Sequence, residues 1–230
     1  APVGFQCREC VKGAPAVRTL RSLRRDPYLT YALIAVNVAV FVASSRGTDQ
    51  FSQLGLWGPA VAAGDWWRIV TSGFIHLDIL HIGFNMFLLW RLGEVLESAV
   101  GRLRFASLYA AALLTGSLGV LLLQPNSTAG GASGAVFGLM GAAFLLLRRR
   151  GFDPMAGNLG PLILINLLLS FRPGVSFGAH LGGLAGGLLV GAVYAGAEDR
   201  HLPSWMAGAA AAAVAVVAGG ACLYVAGHPL

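Results

Sequence analysis

Charged residues are scarce in this sequence: only 11% of its 230 residues are Asp, Glu, Lys or Arg, whereas 56% are hydrophobic. A soluble protein cannot bury that much apolar surface, because it needs polar residues to cover its outside. Cysteine is also scarce, with three residues, which excludes a disulfide-stabilised mini-protein. The composition further excludes a disordered tail and a coiled coil. The chain therefore has the composition of a membrane protein.

Long apolar segments are what the sequence has in abundance, and seven of them follow one another from Tyr28 onward. A helix of about 20 residues crosses a hydrocarbon core of about 30 Å. Irregular backbone facing lipid would leave its amides unpaired, so each segment is expected to be a helix. We predict an all-α polytopic transmembrane bundle with seven spans. The segments cover residues 28–45, 78–98, 104–123, 133–147, 158–172, 176–196 and 204–226.

Basic residues exceed acidic ones, giving a net charge of +6. In a soluble protein this excess would raise nucleic-acid binding, but here the cations lie between apolar segments and indicate topology instead. The bias predicts a multi-pass protein of the cell membrane with a cytoplasmic N-terminus and, after seven spans, an external C-terminus. The inner side receives Arg18, Arg21, Arg24, Arg25, Arg102, Arg104, Arg148, Arg149, Arg150 and Arg200, and the outer side receives Arg46, Arg68 and Arg172.

The first 27 residues are polar, basic and interrupted by proline, which is typical of a cytosolic lead-in and not of a signal peptide. Cys7 and Cys10 have the spacing of half a zinc site, although a structural zinc site needs four ligands. Either a second half-site precedes Ala1 or the pair is incidental. The missing initiator methionine and the knuckle-like FQCREC favour a truncated zinc-ribbon remnant.

Four polar side chains within the apolar segments are candidates for function, because burying such groups in lipid is costly. His81 and Asn85 are four residues apart and share one helix face. Ser133 follows a glycine-rich loop at the start of the fourth segment, and His180 lies about one turn into the sixth. In the predicted topology all four lie near the external ends of their helices and can converge.

Small residues indicate that two of these helices approach closely. Gly134, Gly138 and Gly141 leave one side of the fourth segment bare, and Gly183 with Gly187 forms GxxxG after His180. Such packing would allow a hydrogen bond between Ser133 and His180. The alternative is a pair of packing helices beside a buried histidine and a serine bonded to its own backbone.

A serine nucleophile needs a base within hydrogen-bond reach and donors for the developing oxyanion. The amide of Ser133 lies in the first turn of a helix and is free to donate, and His81 and Asn85 can add side-chain donors. No acidic residue occurs within a span at the external level, so the pattern predicts a Ser-His dyad. Asp78, just before the second segment, is expected to cap that helix.

The motifs GGASG, AHLGGLAGG, HIGFN and WWRIVTSGFIH, taken together, resemble the rhomboid intramembrane serine proteases over about residues 28–197. The resemblance implies a six-helix rhomboid core over that range, with an added helix in residues 198–230. It implies Ser133 as nucleophile, His180 as general base, and His81 and Asn85 in the oxyanion site. The substrates it implies are single-span membrane proteins, cleaved near the external face without a cofactor.

The resemblance also concerns residues around the site. Trp67 and Arg68 match a Trp-Arg pair of the external loop, and Glu97 matches a structural acid at the inner end of the second helix. Phe137 stands where many relatives carry a tyrosine packed against the histidine. With Phe137, the residues expected to support the site are Gly131 and Gly183.

Other functions remain open on the sequence alone. A haem or quinone protein would also place His76, His81 and His180 in or near helices, but it explains neither Ser133 nor Asn85. A transporter would have discontinuous glycine-rich helices, yet its polar groups would lie at the midplane and no inverted repeat is evident. A non-catalytic rhomboid-like protein would retain the fold. If the chain is a protease, the short fifth segment is the candidate gate for substrate, with Leu167, Leu168 and Phe171 among its packing residues.

Overall fold

A computed structural model of the chain describes residues 26–44, 50–172 and 174–228. The predicted zinc half-site at Cys7 and Cys10, most of the predicted lead-in, and Arg46 lie outside the described residues. In the described ranges the secondary structure is helical, and the one β-type feature is an isolated bridge between Leu56 and Ala129. The prediction of an all-α fold is confirmed for this part of the chain.

A helix occupies each of the seven predicted apolar segments, with ends that differ from the prediction by up to three residues. The loop between the first two holds three short helices and a 3₁₀ turn, Ser72–Phe74. In chain order the helices are α1 Tyr28–Ser44, α2 Gln50–Leu54, α3 Gly58–Ala62, α4 Arg68–Thr71, α5 Ile79–Val100, α6 Arg102–Leu123, α7 Ser133–Arg149, α8 Leu159–Leu169, α9 Phe177–Asp199 and α10 Ser204–Gly227.

Four helices in the described part of the chain are long and apolar enough to cross a membrane, by length and composition: α5, α6, α9 and α10. Helices α1 and α8 are apolar but shorter, and α7 has 17 residues and ends at Arg148 and Arg149. Short central helices can be accommodated where neighbouring helices shield them from lipid.

Helix α7 forms the centre of the bundle, between α5, α6 and α9. Its middle residues Leu139 and Met140 are fully buried. Glycines allow α9 to approach it closely: a Cβ on Gly183 would collide with the backbone of Gly134, and one on Gly187 with the backbone of Gly138. The close approach predicted from the sequence is therefore present, because neither partner has a side chain in the way.

A buried carboxylate joins α1 to the C-terminal end of α5. Glu97, 1% exposed, accepts hydrogen bonds from the backbone N–H groups of Leu29 and Thr30 at 3.0 and 2.8 Å, and from the Thr30 hydroxyl at 2.8 Å. The two amides belong to the first turn of α1, which has no carbonyl partners within its own helix. Glu97 thus satisfies the start of α1 and fixes its position against α5.

The loop before α5 is tied down by Arg68. Its guanidinium donates to the Asp65 carboxylate at 2.8 Å and to the carbonyl of Gly55 at 3.0 Å. Trp66 and Trp67 are exposed, at 64% and 39%, and tryptophan is a residue type enriched at membrane–water interfaces. The bonds of Arg68 join separate parts of the loop to one another and hold it in a compact conformation.

Candidate active site

Ser133 is the first residue of α7 and follows a constrained glycine turn. Gly131 has a φ of +134°, and its N–H donates to the carbonyl of Ser72 at 2.8 Å. A Cβ on Gly131 would lie 2.8 Å from Nε2 of His81 and 3.7 Å from the Ser133 hydroxyl. Glycine is required here both by the backbone angle and by the ring beside it.

His180 lies in the first turn of α9, whose N-terminus is capped by Ser176 through a bond from the amide of Ala179. Its Nε2 atom is 2.8 Å from Oγ of Ser133. The ring of Phe137 stacks on the imidazole with centroids 4.2 Å apart and planes inclined by 17°. Phe137 therefore makes the packing contact that the resemblance implies for this position, although it lacks the hydroxyl group of a tyrosine.

The other imidazole nitrogen has a partner that sequence analysis missed. Nδ1 of His180 lies 2.5 Å from Oγ of Ser170, the residue that follows α8. Both side chains are buried, with 7% and 2% of their residues' surface exposed. No pattern in the sequence distinguishes Ser170 from any other serine at the end of a helix. Only the turn that joins α8 to α9 brings it to the His180 ring.

His81 and Asn85 share the face of α5 that borders a cavity also lined by Ser133 and His180. Asp78 caps α5 as predicted, accepting from the amides of Leu80 and His81 at 2.9 Å each. The Asn85 side-chain amide donates to the carbonyl of His81 at 2.9 Å, which leaves its second N–H free for another acceptor. Nδ1 of His81 accepts from the amide of Leu77 at 3.4 Å, so in the neutral ring Nε2 carries the proton.

The four predicted side chains line one cavity of about 400 Å³. Ser133 and His180 contribute from α7 and α9, and His81 and Asn85 from α5. The cavity lies at the end of the bundle where α7 and α9 begin. Convergence of these helices at one level follows from the antiparallel order of α5, α6, α7, α8 and α9 along the chain.

His76 was given no role from the sequence, yet it is buried beside the site. Its Nε2 accepts from the amide of Ala132, next to Ser133, at 3.4 Å, and its ring meets that of His81 edge-on at 5.0 Å. Burial, and to a smaller extent the nearby His81, lowers the pKa of His76 to about 4. His76 is therefore neutral near pH 7 and serves as an acceptor that supports the turn before α7.

The arrangement has the parts of a serine hydrolase site. A hydroxyl contacts an imidazole at hydrogen-bond distance, the imidazole is held on its other side, and N–H donors from α5 and from the first turn of α7 border the same cavity. The helix dipole of α7 also favours negative charge next to Ser133.

Comparison with known proteins identifies the class to which this fold and site belong. A family model described as the rhomboid domain matches residues 63–197. The chain belongs to the rhomboid family, and it is a multi-pass membrane protein. The resemblance noted in the sequence is confirmed.

Several rhomboid proteases are similar in sequence. The chain is 34% identical over 192 residues to Rhomboid protease GluP of Bacillus subtilis, covering 77% of this chain and 38% of that protein. It is 33% identical over 168 residues to Rhomboid-like protease 1 of Toxoplasma gondii, covering 69% and 57%. It is 34% identical over 187 residues to Rhomboid protease GlpG of Enterobacter sp., covering 76% and 65%. The chain thus aligns with less than two thirds of the length of these relatives.

Proposed function

We propose that this chain is an intramembrane serine endopeptidase that cleaves single-span membrane proteins near the external face of the bilayer. The observation that carries the proposal is the 2.8 Å contact between Ser133 Oγ and His180 Nε2 at a cavity that His81 and Asn85 also line. Membership of the rhomboid family, with relatives that are named as proteases, supports the same activity.

In the proposed acylation step, Ser133 attacks the carbonyl carbon of the scissile peptide. His180 Nε2 takes the hydroxyl proton as the new Oγ–C bond forms, which is the role of a general base. The Ser133–His180 distance already allows this transfer. When the tetrahedral intermediate collapses, Nε2–H gives the proton to the leaving amine, and an acyl-enzyme remains on Ser133.

The developing oxyanion would be stabilised by N–H groups that are held in place before the reaction. The candidates are the backbone amide of Ser133, the second side-chain N–H of Asn85, and Nε2–H of His81. The bonds from Asn85 to the His81 carbonyl and from Leu77 to His81 Nδ1 hold these donors in orientation. Water would then attack the acyl-enzyme with His180 again as base, so each step uses protein groups and water and no cofactor.

We also propose the topology read from the sequence: seven spans, the N-terminus in the cytoplasm and the C-terminus outside. Residues 28–197 would form the six-helix protease core, and 198–230 an additional helix. The ends of α7 and α9 that carry Arg148, Arg149 and Arg200 meet at one side of the bundle, where Arg149 pairs with Asp199. Ser133 and His180 lie at the opposite ends, which the charge bias assigns to the outside.

Cleavage of a single-span substrate by the purified protein in detergent or lipid tests the proposal. Ser133→Ala and His180→Ala should each abolish cleavage, and Ser133→Ala should abolish labelling by a serine-directed fluorophosphonate. Ser107→Ala is a matched control, because it removes a serine hydroxyl near the N-terminus of α6, at the other end of that helix from the loop that leads to Ser133. EDTA should leave the rate unchanged. Cleavage by either dyad variant, or strong inhibition by EDTA, would refute the serine mechanism.

A further inference from the structure

The Nδ1 side of His180 has a defined hydrogen-bond partner. Ser170 Oγ lies 2.5 Å from Nδ1, while Ser133 Oγ lies 2.8 Å from Nε2 on the other edge of the ring. The imidazole is therefore held between two serine hydroxyls, one from α7 and one from the end of α8. Phe137 packs against its face. These three contacts together determine the orientation of the His180 ring.

The direction of the Ser170 bond follows from a second contact. The Ser170 hydroxyl is 2.8 Å from the backbone carbonyl of Asn166. A carbonyl oxygen only accepts, and a hydroxyl has a single proton, so Ser170 donates to Asn166. Its oxygen must then accept from His180, which places the imidazole proton on Nδ1 and leaves the lone pair of Nε2 facing Ser133.

We propose that Ser170 is a positioning residue that selects the Nδ1–H tautomer of His180 and so keeps Nε2 ready to accept the Ser133 proton. The inference rests on the proposed hydrolase function, and it adds a third member to what the sequence predicted as a dyad. The chain of hydrogen bonds runs from the Asn166 carbonyl through the Ser170 hydroxyl to Nδ1–H of His180, and from Nε2 of His180 to the Ser133 hydroxyl.

The proton balance of the first step is compatible with this role. When Ser133 attacks, its O–H bond breaks and an N–H bond forms at Nε2, while Nδ1–H remains bonded to Ser170. The imidazolium later returns the Nε2 proton to the leaving amine, and the starting tautomer is restored. Ser170 neither gains nor loses a proton, because a neutral hydroxyl orients the ring without taking up its charge.

Ser170 acts through His180 and does not form the substrate cavity, which is bordered at this point by Asn166. Its loss should therefore change kcat and leave KM unchanged. Ser170→Ala is expected to lower kcat about tenfold, the factor that one hydrogen bond is worth. Ser170→Thr retains the hydroxyl and should recover most of the loss.

NMR of the full chain in detergent, with ¹⁵N-labelled histidine, reports the tautomer of His180. A substitution that affected only the stability of the fold would leave this tautomer unchanged. The His180 signal, assigned by its absence in His180→Ala, should show the Nδ1–H tautomer in the wild type and in Ser170→Thr. In Ser170→Ala it should become a mixture of the two tautomers. Ser107→Ala is the matched control: its hydroxyl also bonds a carbonyl four residues back, but its side-chain partner is Tyr194, away from the site.

Two results would overturn the proposal: an unchanged His180 tautomer in Ser170→Ala, or an unchanged kcat in that variant. The NMR measurement needs no turnover, so it tests the Ser170 bond even if Ser133 proves unreactive. Failure of the proposed function would instead appear as a wild-type protein that neither cleaves substrate nor reacts with fluorophosphonate. Thermal unfolding of each variant, with Ser170→Thr as the second variant, identifies any loss that comes from misfolding.

Discussion

His81 and Asn85 present their polar groups from one face of α5, one turn apart, at the cavity that Ser133 also lines. In a helix packed among apolar neighbours, such groups are retained against a desolvation cost. Their orientations are set by local bonds: the Asp78 cap and the Leu77 amide hold His81, and the His81 carbonyl holds Asn85. These residues can act as donors without reorganising during the reaction, which is the property that gives an oxyanion site its effect.

The variants His81→Ala and Asn85→Ala should lower kcat by a factor of about 10²–10³ and leave a measurable residual rate, because other donors remain. Steady-state cleavage of a fluorogenic peptide measures the effect. Asn37→Ala provides the control, since Asn37 is a buried amide in α1 with the same bond to a carbonyl four residues back. It should retain wild-type kcat even if its stability falls. Wild-type turnover in both site variants would remove them from the oxyanion role.

At the scale of the helices, the contact between α7 and α9 determines whether Ser133 and His180 can meet. Glycines on both helices let the backbones approach until there is no space for a Cβ at Gly183 or Gly187. In lipid, where apolar burial gives no net drive between helices, such close packing is a main source of association. The contact between Ser133 and His180 therefore depends on glycines one to two turns beyond His180 in α9.

Replacing Gly187 by valine should destabilise the protein by about 1–3 kcal/mol or more through overpacking, and should separate α7 from α9. The matched variant is Gly220→Val in α10, where an added Cβ meets no neighbouring atom within 4 Å. Thermal unfolding in detergent and fluorophosphonate labelling of Ser133 measure the two effects. Equal behaviour of both variants would contradict the packing argument.

Helix α8 is the loosest element around the site. Of its eleven residues only Gly160 and Ile163 are buried. The structure refines the predicted set of packing residues. Leu167 packs on the core, and the ring of Phe171 stacks on that of Phe177 with centroids 4.6 Å apart, although Phe171 is 69% exposed. Leu168 is equally exposed and has no ring with which to make such a contact. An element held by so few contacts is suited to move when substrate enters.

If α8 admits the substrate, Leu167→Ala and Phe171→Ala should raise cleavage of a transmembrane substrate severalfold while changing cleavage of a soluble peptide little. Leu168→Ala should have no effect on either, because its side chain contributes little packing to the bundle. The ratio of the two cleavage rates is the measurement. Equal ratios in all three variants would show that substrate enters elsewhere.

For the whole molecule, the placement of arginines relative to Ser133 and His180 predicts which side of the membrane the site faces. The turn between α7 and α8 follows Arg148, Arg149 and Arg150, and the loop between α6 and α7 leads to Ser133. The charge bias assigns the first to the cytoplasm and the second to the outside. Cleavage would then occur at the external end of a substrate helix.

Cysteine labelling in intact cells checks this orientation. In a background with Cys7 and Cys10 replaced by serine, Ser127→Cys in the loop before Ser133 should react with a membrane-impermeant maleimide. Ala156→Cys, exposed in the turn after α7, should react only after permeabilisation. Cys222 is buried and should remain silent. The reverse pattern would invert the proposed topology.

The sequence by itself determined the helices and the principal polar residues. Apolar length is a local property that a membrane converts directly into helices, and polar residues inside such helices are few enough to single out. For this reason the segments at α5, α6, α7, α8 and α9, and the grouping of His81, Asn85, Ser133 and His180 at one end of the bundle, could be inferred without coordinates.

Only the tertiary structure decided what surrounds those residues. The bond from His180 Nδ1 to Ser170 depends on how the chain turns between α8 and α9, and His76 reaches the Ala132 amide from a segment 56 residues earlier. Ser170 and His76 belong to no periodic pattern in the sequence. Their contacts depend on loop geometry and on the orientation of helix ends, and both of these result from packing between distant segments. The sequence therefore predicted a pair of reacting side chains, and only the fold showed that Ser170 contacts the other nitrogen of His180.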